Sequence, residues 1–287
     1  MIPDVDGNSV VYLNGDYVRL EDAKISVLDR GFIFGDGIYD VVPAYNGKPF
    51  RMDGHLARLE RSLAAIDIKV GLGRSDWEQI VQNLIERSNL GDCMVYIQVT
   101  RGVAKRDHGF PKNATPTVFC MVSPFARPSG AAREQGLSVV GIPDVRWLRC
   151  EIKSISLLGN VLAKQQAVEA GVDEVVQFRD GHLSEGASCN IWVVKDGVLL
   201  APPRSNLILE GIRYGLLEEL AADAGIQFNA RPITQQEVES ADELMLSSAT
   251  KEILPITSYN GKPVGTGKPG NIYSLLRAGY DKAIAAL

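Results

Sequence analysis

Lys153 follows the stretch Arg146-Trp147-Leu148-Arg149-Cys150-Glu151-Ile152 and precedes a run of good helix formers at about 156–169. A lysine placed where extended apolar sequence gives way to helix can stand at the mouth of a pocket. There its amine can form a Schiff base with a carbonyl group. Taken alone, such a residue is an ordinary solvated surface charge. The same two-sided reading holds elsewhere. Gly211-Ile212-Arg213 opens a helix, so its backbone N–H groups and positive dipole end suit a phosphate. Arg58 lies on a helix, and Arg106-Asp107-His108 lies in a polar loop; each is an anion anchor or a solvated charge. Tyr39 ends the glycine-spaced run 31–39, where glycine permits a tight turn or close backbone approach to a ligand. Glu185, on its surroundings alone, is a turn carboxylate.

Composition narrows the classes. A chain of 287 residues, 45% hydrophobic and 23% charged, can bury a large core and form two domains. The net charge is −5 and no basic block occurs, which argues against duplex nucleic acid and acidic membrane surfaces as partners. No apolar run reaches about 18 residues, and Met1-Ile2-Pro3-Asp4-Val5-Asp6 lacks the charged and apolar regions of a signal peptide. Cys93, Cys120, Cys150 and Cys189 are scattered among apolar residues and read as buried thiols in a reducing cytoplasm. Neither they nor His55, His108 and His182 have metal-ligand spacing, so no metal is expected. A Gly-x-Ser-x-Gly nucleophile elbow is absent, which disfavours an α/β hydrolase.

The elements that must carry these residues follow from turn and helix signals. Strands at 10–13 and 17–18 flank Asn14-Gly15, a tight hairpin turn. The run 31–39 reads as a loop entering a strand at 39–44. Asp53 is the expected N-cap of a helix with Leu56, Leu59, Leu63 and Ile66 on one face, and Ser75-Asp76-Trp77-Glu78 is the expected capping box of the next. Strands follow at 94–100 and 117–123. Tyr-Asn-Gly-Lys-Pro occurs at 45–49 and again at 259–263, which is hairpin chemistry used twice. The Pro, Gly and Ser residues of 123–130 mark a domain boundary. The expected organisation is α/β: a small domain at 1–123, a linker at 124–136 and a larger domain at 137–287. In the latter, strands fall at 137–142, 175–178, 191–194, 198–200, 227–231 and 244–246. Helices follow Lys153, begin near Gly211, and occupy the tail from Asn271.

Dispersed blocks then carry a resemblance. They are Asp29-Arg30-Gly31 with 34–39, His55-Leu56-Ala57-Arg58-Leu59, Val99-Thr100-Arg101-Gly102 with Arg106-Asp107-His108, 146–154, 184–190, Leu209-Glu210-Gly211-Ile212 and Ser248-Ala249-Thr250-Lys251-Glu252. In this order the chain resembles the fold-type IV pyridoxal-phosphate aminotransferases, and within them the bacterial D-amino-acid aminotransferases. The resemblance implies a small α/β sandwich domain and a larger domain with a pseudo-barrel β core flanked by helices. It implies pyridoxal phosphate bound by Lys153 as a Schiff base, with the same lysine moving the substrate Cα proton. Glu185 would face the pyridine nitrogen and favour its protonated form. Arg58, Gly211, Ile212, Arg213, Ser248 and Ala249 would hold the phosphate, and Leu209 would pack on the ring. Tyr39, Arg106 and His108 would trap the substrate α-carboxylate. The loop bearing Arg106 and His108 would reach the neighbouring subunit's site, which implies a homodimer.

Departures from the family pattern fall at the phosphate end. Relatives often carry threonine where Arg213 and Ala249 stand; Ala249 can offer only its backbone, and Arg213 either substitutes a charge or points to solvent. Asp40 replaces a glutamate and could change how Tyr39 or Arg146 is held. The expected reaction is ping-pong transamination of D-alanine with 2-oxoglutarate to pyruvate and D-glutamate. Alternatives on the same fold are a branched-chain L-aminotransferase, an (R)-amine transaminase and aminodeoxychorismate lyase; a non-catalytic ligand-binding relative is the alternative from another class.

Overall fold

The structure is a computed structural model that describes residues 5–287; residues 1–4, part of the stretch read above for a signal peptide, lie outside the described residues. The chain divides into two compact units. One runs to Ala126 and includes Ile152–Leu157; the other comprises Arg127–Glu151 and Leu158–Leu287. Lys153 therefore packs with the first unit, although it lies in the second half of the sequence.

The first unit holds β1 (Val10–Leu13), β2 (Asp16–Arg19), α1 (Arg30–Phe34), β3 (Gly37–Tyr45), β4 (Lys48–Pro49), α2 (Met52–Ala65), α3 (Arg74–Ser88), β5 (Cys93–Thr100) and β6 (Thr117–Pro124). The strands form an antiparallel sheet in the order β2-β1-β6-β5-β3-β4. Leu56, Leu59, Leu63, Trp77, Ile80, Val81 and Leu84 of the two helices pack with Val42, Val95, Ile97 and Val99 of the sheet. Each such aliphatic side chain contributes roughly 1.5–3 kcal/mol on burial.

Local expectations fail here at helix starts. Residues 30–34 form a short helix rather than a loop, with the Asp29 carboxylate accepting from Gly31 N and Gly35 closing it at φ 66°. The second helix is entered through Arg51 at φ 60°, so Asp53 sits in the first turn and is not the cap. In α3 the cap is Gly73, whose N–H donates to Asp76 Oδ2 at 2.7 Å, and Ser75 lies inside the helix.

The second unit contains α4 (Gly130–Gln135), β7 (Leu137–Pro143), α5 (Leu158–Glu169), β8 (Glu174–Arg179), β9 (His182–Leu183), β10 (Asn190–Lys195), β11 (Val198–Ala201), α6 (Ile212–Asp223), β12 (Phe228–Ala230), α7 (Gln235–Glu239), β13 (Glu243–Ser248), β14 (Glu252–Tyr259), β15 (Lys262–Pro263) and α8 (Asn271–Ala285). The expected linker thus includes a helix capped by Ser129, and β14 has no counterpart among the strands expected from sequence. A mixed sheet runs β12-β11-β10-β13-β14-β7-β8-β9, with β15 beside β14. Parallel pairs join β11 to β12, β14 to β7 and β7 to β8. Its core gathers Val139, Val176, Ile191, Val193, Leu244, Leu246 and Leu254. Both Asn-Gly pairs of the repeated pentapeptide sit at hairpin tips, β3–β4 and β14–β15, with all four residues at positive φ. Among the described residues, no helix is long and apolar enough to cross a membrane.

Candidate active site

In the first unit the lysine segment is fixed to the edge of β3. Tyr39 N donates to Lys153 O at 2.9 Å, Ile155 N to Gly37 O at 3.1 Å, and Ser154 bridges Ile38. Lys153 N donates to Ser62 Oγ of α2 at 3.2 Å. The backbone being held in this way, the amine lies 4.2 Å from the centroid of the Tyr39 ring. Tyr39 in turn stacks on Tyr96 at 5.7 Å, and Tyr96 Oη donates to Gln98 Oε1 at 2.6 Å. Burial, with Tyr39 adding to it, pushes the Tyr96 phenol up to about 12. Lys153 and Tyr39, both candidates from sequence, are therefore neighbours. Gly37 is required for this arrangement, since a Cβ there would lie 2.5 Å from Val99 O.

Arg58 is buried on α2, and its guanidinium meets Asp40 of β3: Nε–Oδ2 2.9 Å and Nη2–Oδ1 2.8 Å. His55 Nδ1 lies 2.7 Å from the same Oδ1. Burial would raise the Asp40 carboxyl, but Arg58 and His55 outweigh it and hold the group far below the usual carboxylate range. The Asp40 carboxylate thus meets Arg58, His55 and the Val41 N–H, the last at 2.7 Å. Arg106 and His108 occupy an exposed loop. The Phe34 ring lies 5.5 Å from the Arg106 guanidinium and 5.4 Å from the His108 ring, bringing the pair to one aromatic post.

The second unit gathers a different group. Glu185 is buried and accepts from Arg146 Nη1, from Leu209 N at 3.2 Å and from Asn190 Nδ2 at 3.2 Å. Asn190 also donates to Leu209 O at 2.8 Å and accepts from Gly211 N at 3.2 Å. One asparagine thereby ties Glu185, Leu209 and Gly211 together. A side chain at Gly211 would collide with it, at 2.3 Å from Asn190 Oδ1. Arg146 divides its guanidinium between Glu185 and Asp144, with Nη2–Asp144 Oδ2 at 2.8 Å. Burial raises the Glu185 carboxyl more than Arg146 and the Leu209 N–H lower it. Asp144, which adds Ser184 Oγ at 2.7 Å and Arg179 at 3.1 Å, is held down to about 2 despite its burial. Sequence reasoning assigns no role to Asp144 or Asn190; the spacing Asp144-x-Arg146 and the block ending at Asn190 are the available signals.

Helix α6 begins at Gly211 without a side-chain cap, with Tyr214 N donating to Gly211 O at 2.9 Å; the positive dipole end of such a start suits an anion. Arg213 does not point to solvent. It is 1% exposed, and its Nε donates to Tyr280 Oη of α8 at 2.9 Å. Ser248 ends β13, with Ala249 next in a turn where Lys251 N donates to Ser248 Oγ at 3.0 Å.

Residues 37–259 match the family described as amino-transferase class IV. The D-alanine aminotransferase of Staphylococcus epidermidis is 40% identical over 275 residues, covering 96% of this chain and 97% of that protein. The D-alanine aminotransferase of Bacillus licheniformis is 35% identical over 274 residues, covering 96% of each. Among solved structures, the Escherichia coli branched-chain amino acid aminotransferase superposes with a TM-score of 0.88 at 25% identity, covering 94% of this chain and 92% of that one. The branched-chain aminotransferase of the archaeon Thermoproteus uzoniensis, solved with norvaline, has a TM-score of 0.89 at 24% identity, covering 97% and 96%. The chain belongs to the class IV amino-transferase family.

Proposed function

We propose that the chain transaminates D-amino acids with pyridoxal phosphate, moving the amino group of D-alanine to 2-oxoglutarate by a ping-pong route and releasing pyruvate and D-glutamate. The carrying observation is the near-full-length likeness to D-alanine aminotransferases, joined to the Arg106 and His108 pair that stands with Phe34. The likeness to branched-chain enzymes rests on backbone at 24–25% identity. Handedness is decided by side chains, and guanidinium plus imidazole donors suit an α-carboxylate.

The donor set fits the cofactor. An amine against an aromatic ring, a buried under-neutralised carboxylate and an uncapped helix start match an aldehyde carbon, a cationic ring nitrogen and a phosphate. Pyridoxal phosphate, when bound, supplies the electron sink that stabilises charge at the substrate Cα. Lys153 would hold it and then carry the Cα proton as a free amine. Glu185 would face the ring nitrogen, backed by Arg146 and oriented by Asn190. Leu209 would pack on the ring. Gly211, Ile212 and Ser248 would bind phosphate, Ala249 would offer its backbone, and Arg58 and Arg213 would add positive charge. Tyr39 would join Arg106 and His108 at the carboxylate, so that a D-enantiomer turns its Cα–H toward Lys153 and an L-enantiomer its side chain.

Phe110 within the trap loop is 60% exposed, and Val27 at 72% and Phe32 at 71% lie on the segment that meets the loop where Ala104 N donates to Leu28 O. Such a patch supports a homodimer in which a second copy covers it and receives the loop. The buried free thiols support a reducing, cytoplasmic setting. Lys153→Ala tests the assignment. It is expected to abolish turnover and the visible absorbance of the bound cofactor; a variant that still transaminates contradicts it.

A further inference from the structure

The loop between β5 and β6 spans residues 101–116 and carries Arg106 and His108, both exposed. A stretch of that length without regular structure samples many conformations unless something fixes it. Arg30 does so. It is 3% exposed, and its Nη1 donates to Asp107 O at 2.5 Å and Gly109 O at 3.3 Å, while Nη2 donates to His108 O at 3.3 Å. Consecutive carbonyls at the trap are thus gathered on one guanidinium. Its remaining edge, Nε, donates to Asp36 Oδ2 at 2.7 Å. Asp36 is itself anchored: Arg101 reaches it at 2.8 and 3.0 Å and also donates to Ile66 O at 2.7 Å. Burial opposes the charge on Asp36, but Arg101 and Arg30 hold its carboxyl below the usual range.

Aromatic rings complete the clamp. The Arg30 guanidinium lies 4.8 Å from the Phe34 ring that Arg106 and His108 also approach, and Arg101 lies 3.6 Å from the Phe110 ring. Arg30 therefore grips the loop from its carbonyl side while Phe34 meets the two trap side chains. We propose that Arg30, held by Asp36, is a positioning residue that sets the geometry of the Arg106 and His108 trap and thereby the affinity for substrate carboxylates. The inference rests on the D-amino-acid reading above, because it assigns those two residues to the carboxylate. Small displacements of binding groups carry large penalties, which is what a rigid support prevents.

The test uses the holoenzyme with D-alanine and 2-oxoglutarate. Arg30→Gln removes the grip yet leaves Asp36 paired with Arg101, so the fold has a route to survive. The Michaelis constants for both substrates should rise about tenfold, with a smaller fall in kcat. Arg30→Lys keeps the charge without the fork and should fall between wild type and Arg30→Gln. In an Arg106→Ala, His108→Ala background, Arg30→Gln should change kcat/KM by less than about twofold, since its targets are gone. Unchanged Michaelis constants in both Arg30 variants overturn the proposal, as does an effect that multiplies fully in the double-variant background. If Arg30→Gln does not fold, Arg30→Lys alone decides, and a wild-type KM in it is refutation. Failure of the trap reading is separately visible: removing Arg106 and His108 would leave both Michaelis constants unchanged, and the clamp would fall with it.

Discussion

Asp40 in the first unit and Glu185 in the second are both buried carboxylates facing arginine, yet they are driven in opposite directions. Asp40 takes the Nε–Nη2 edge of Arg58 and adds His55, so its charge is well matched and its carboxyl is strongly acidic. Glu185 has Arg146, but Arg146 also serves Asp144. One cation divided between two anions leaves Glu185 short, and burial prevails. The difference separates a strut from a binding group. A satisfied buried ion pair locks α2 to β3, whereas an under-neutralised buried anion gains when a cation such as a protonated ring nitrogen arrives.

The largest test of that contrast is Glu185→Gln. Its kcat should fall by about 10²–10³, the usual cost of removing one placed electrostatic group. Its stability should change less than that of Asp40→Asn. In Asp40→Asn the buried Arg58 charge faces a neutral amide, and unfolding should become easier by roughly 3–5 kcal/mol in denaturant titrations. Equal stability losses in the two variants would erase the distinction. Acid sharpens it further. Asp40 and Asp144 lie below the unfolded value of about 4, so the unfolded chain binds protons first as pH falls. Both contributions are complete above that value and shrink as pH falls below it; that of Asp144 is lost by about 2, where it titrates, and that of Asp40 only at still lower pH. Glu185 has the reverse sign: its raised folded value means that protonation relieves the folded state. Asp144→Asn should therefore flatten the loss of melting temperature between those pH values, and Glu185→Gln should not.

Smaller effects concern the ligand ends. Arg106→Ala should weaken D-substrate binding by about 1.5–3 kcal/mol, seen in KM, as a charge-assisted contact is lost. Ala249→Thr restores a hydroxyl near Ser248 and should tighten cofactor binding by about 0.5–1.5 kcal/mol in equilibrium titration. No change would mean that the α6 start and the buried arginines already saturate the phosphate.

How much of this is legible varies with the range of the interaction. The hairpin turns at Asn14, Asn46 and Asn260 are readable because their geometry is local. The inward faces of α2 and α3 are readable from periodicity. The Asp40, His55 and Arg58 group is not, since its members are 15 and 18 residues apart and no spacing rule joins a strand to a helix. Arg30 stands inside a quoted block, yet its targets lie 77–79 residues away. Lys153 and Tyr39 stand out separately in the sequence, but nothing in residue order signals that 152–157 pack with the first unit. That attachment ties the lysine backbone to the strand bearing Tyr39 and Asp40.

The most direct measurement is a panel of D- and L-amino acids with 2-oxoglutarate, followed at the visible absorbance of the bound cofactor. D-alanine should shift the spectrum and yield pyruvate with matching D-glutamate, while L-leucine and L-alanine should do neither. Turnover of branched-chain L-amino acids with no response to D-alanine would contradict the account.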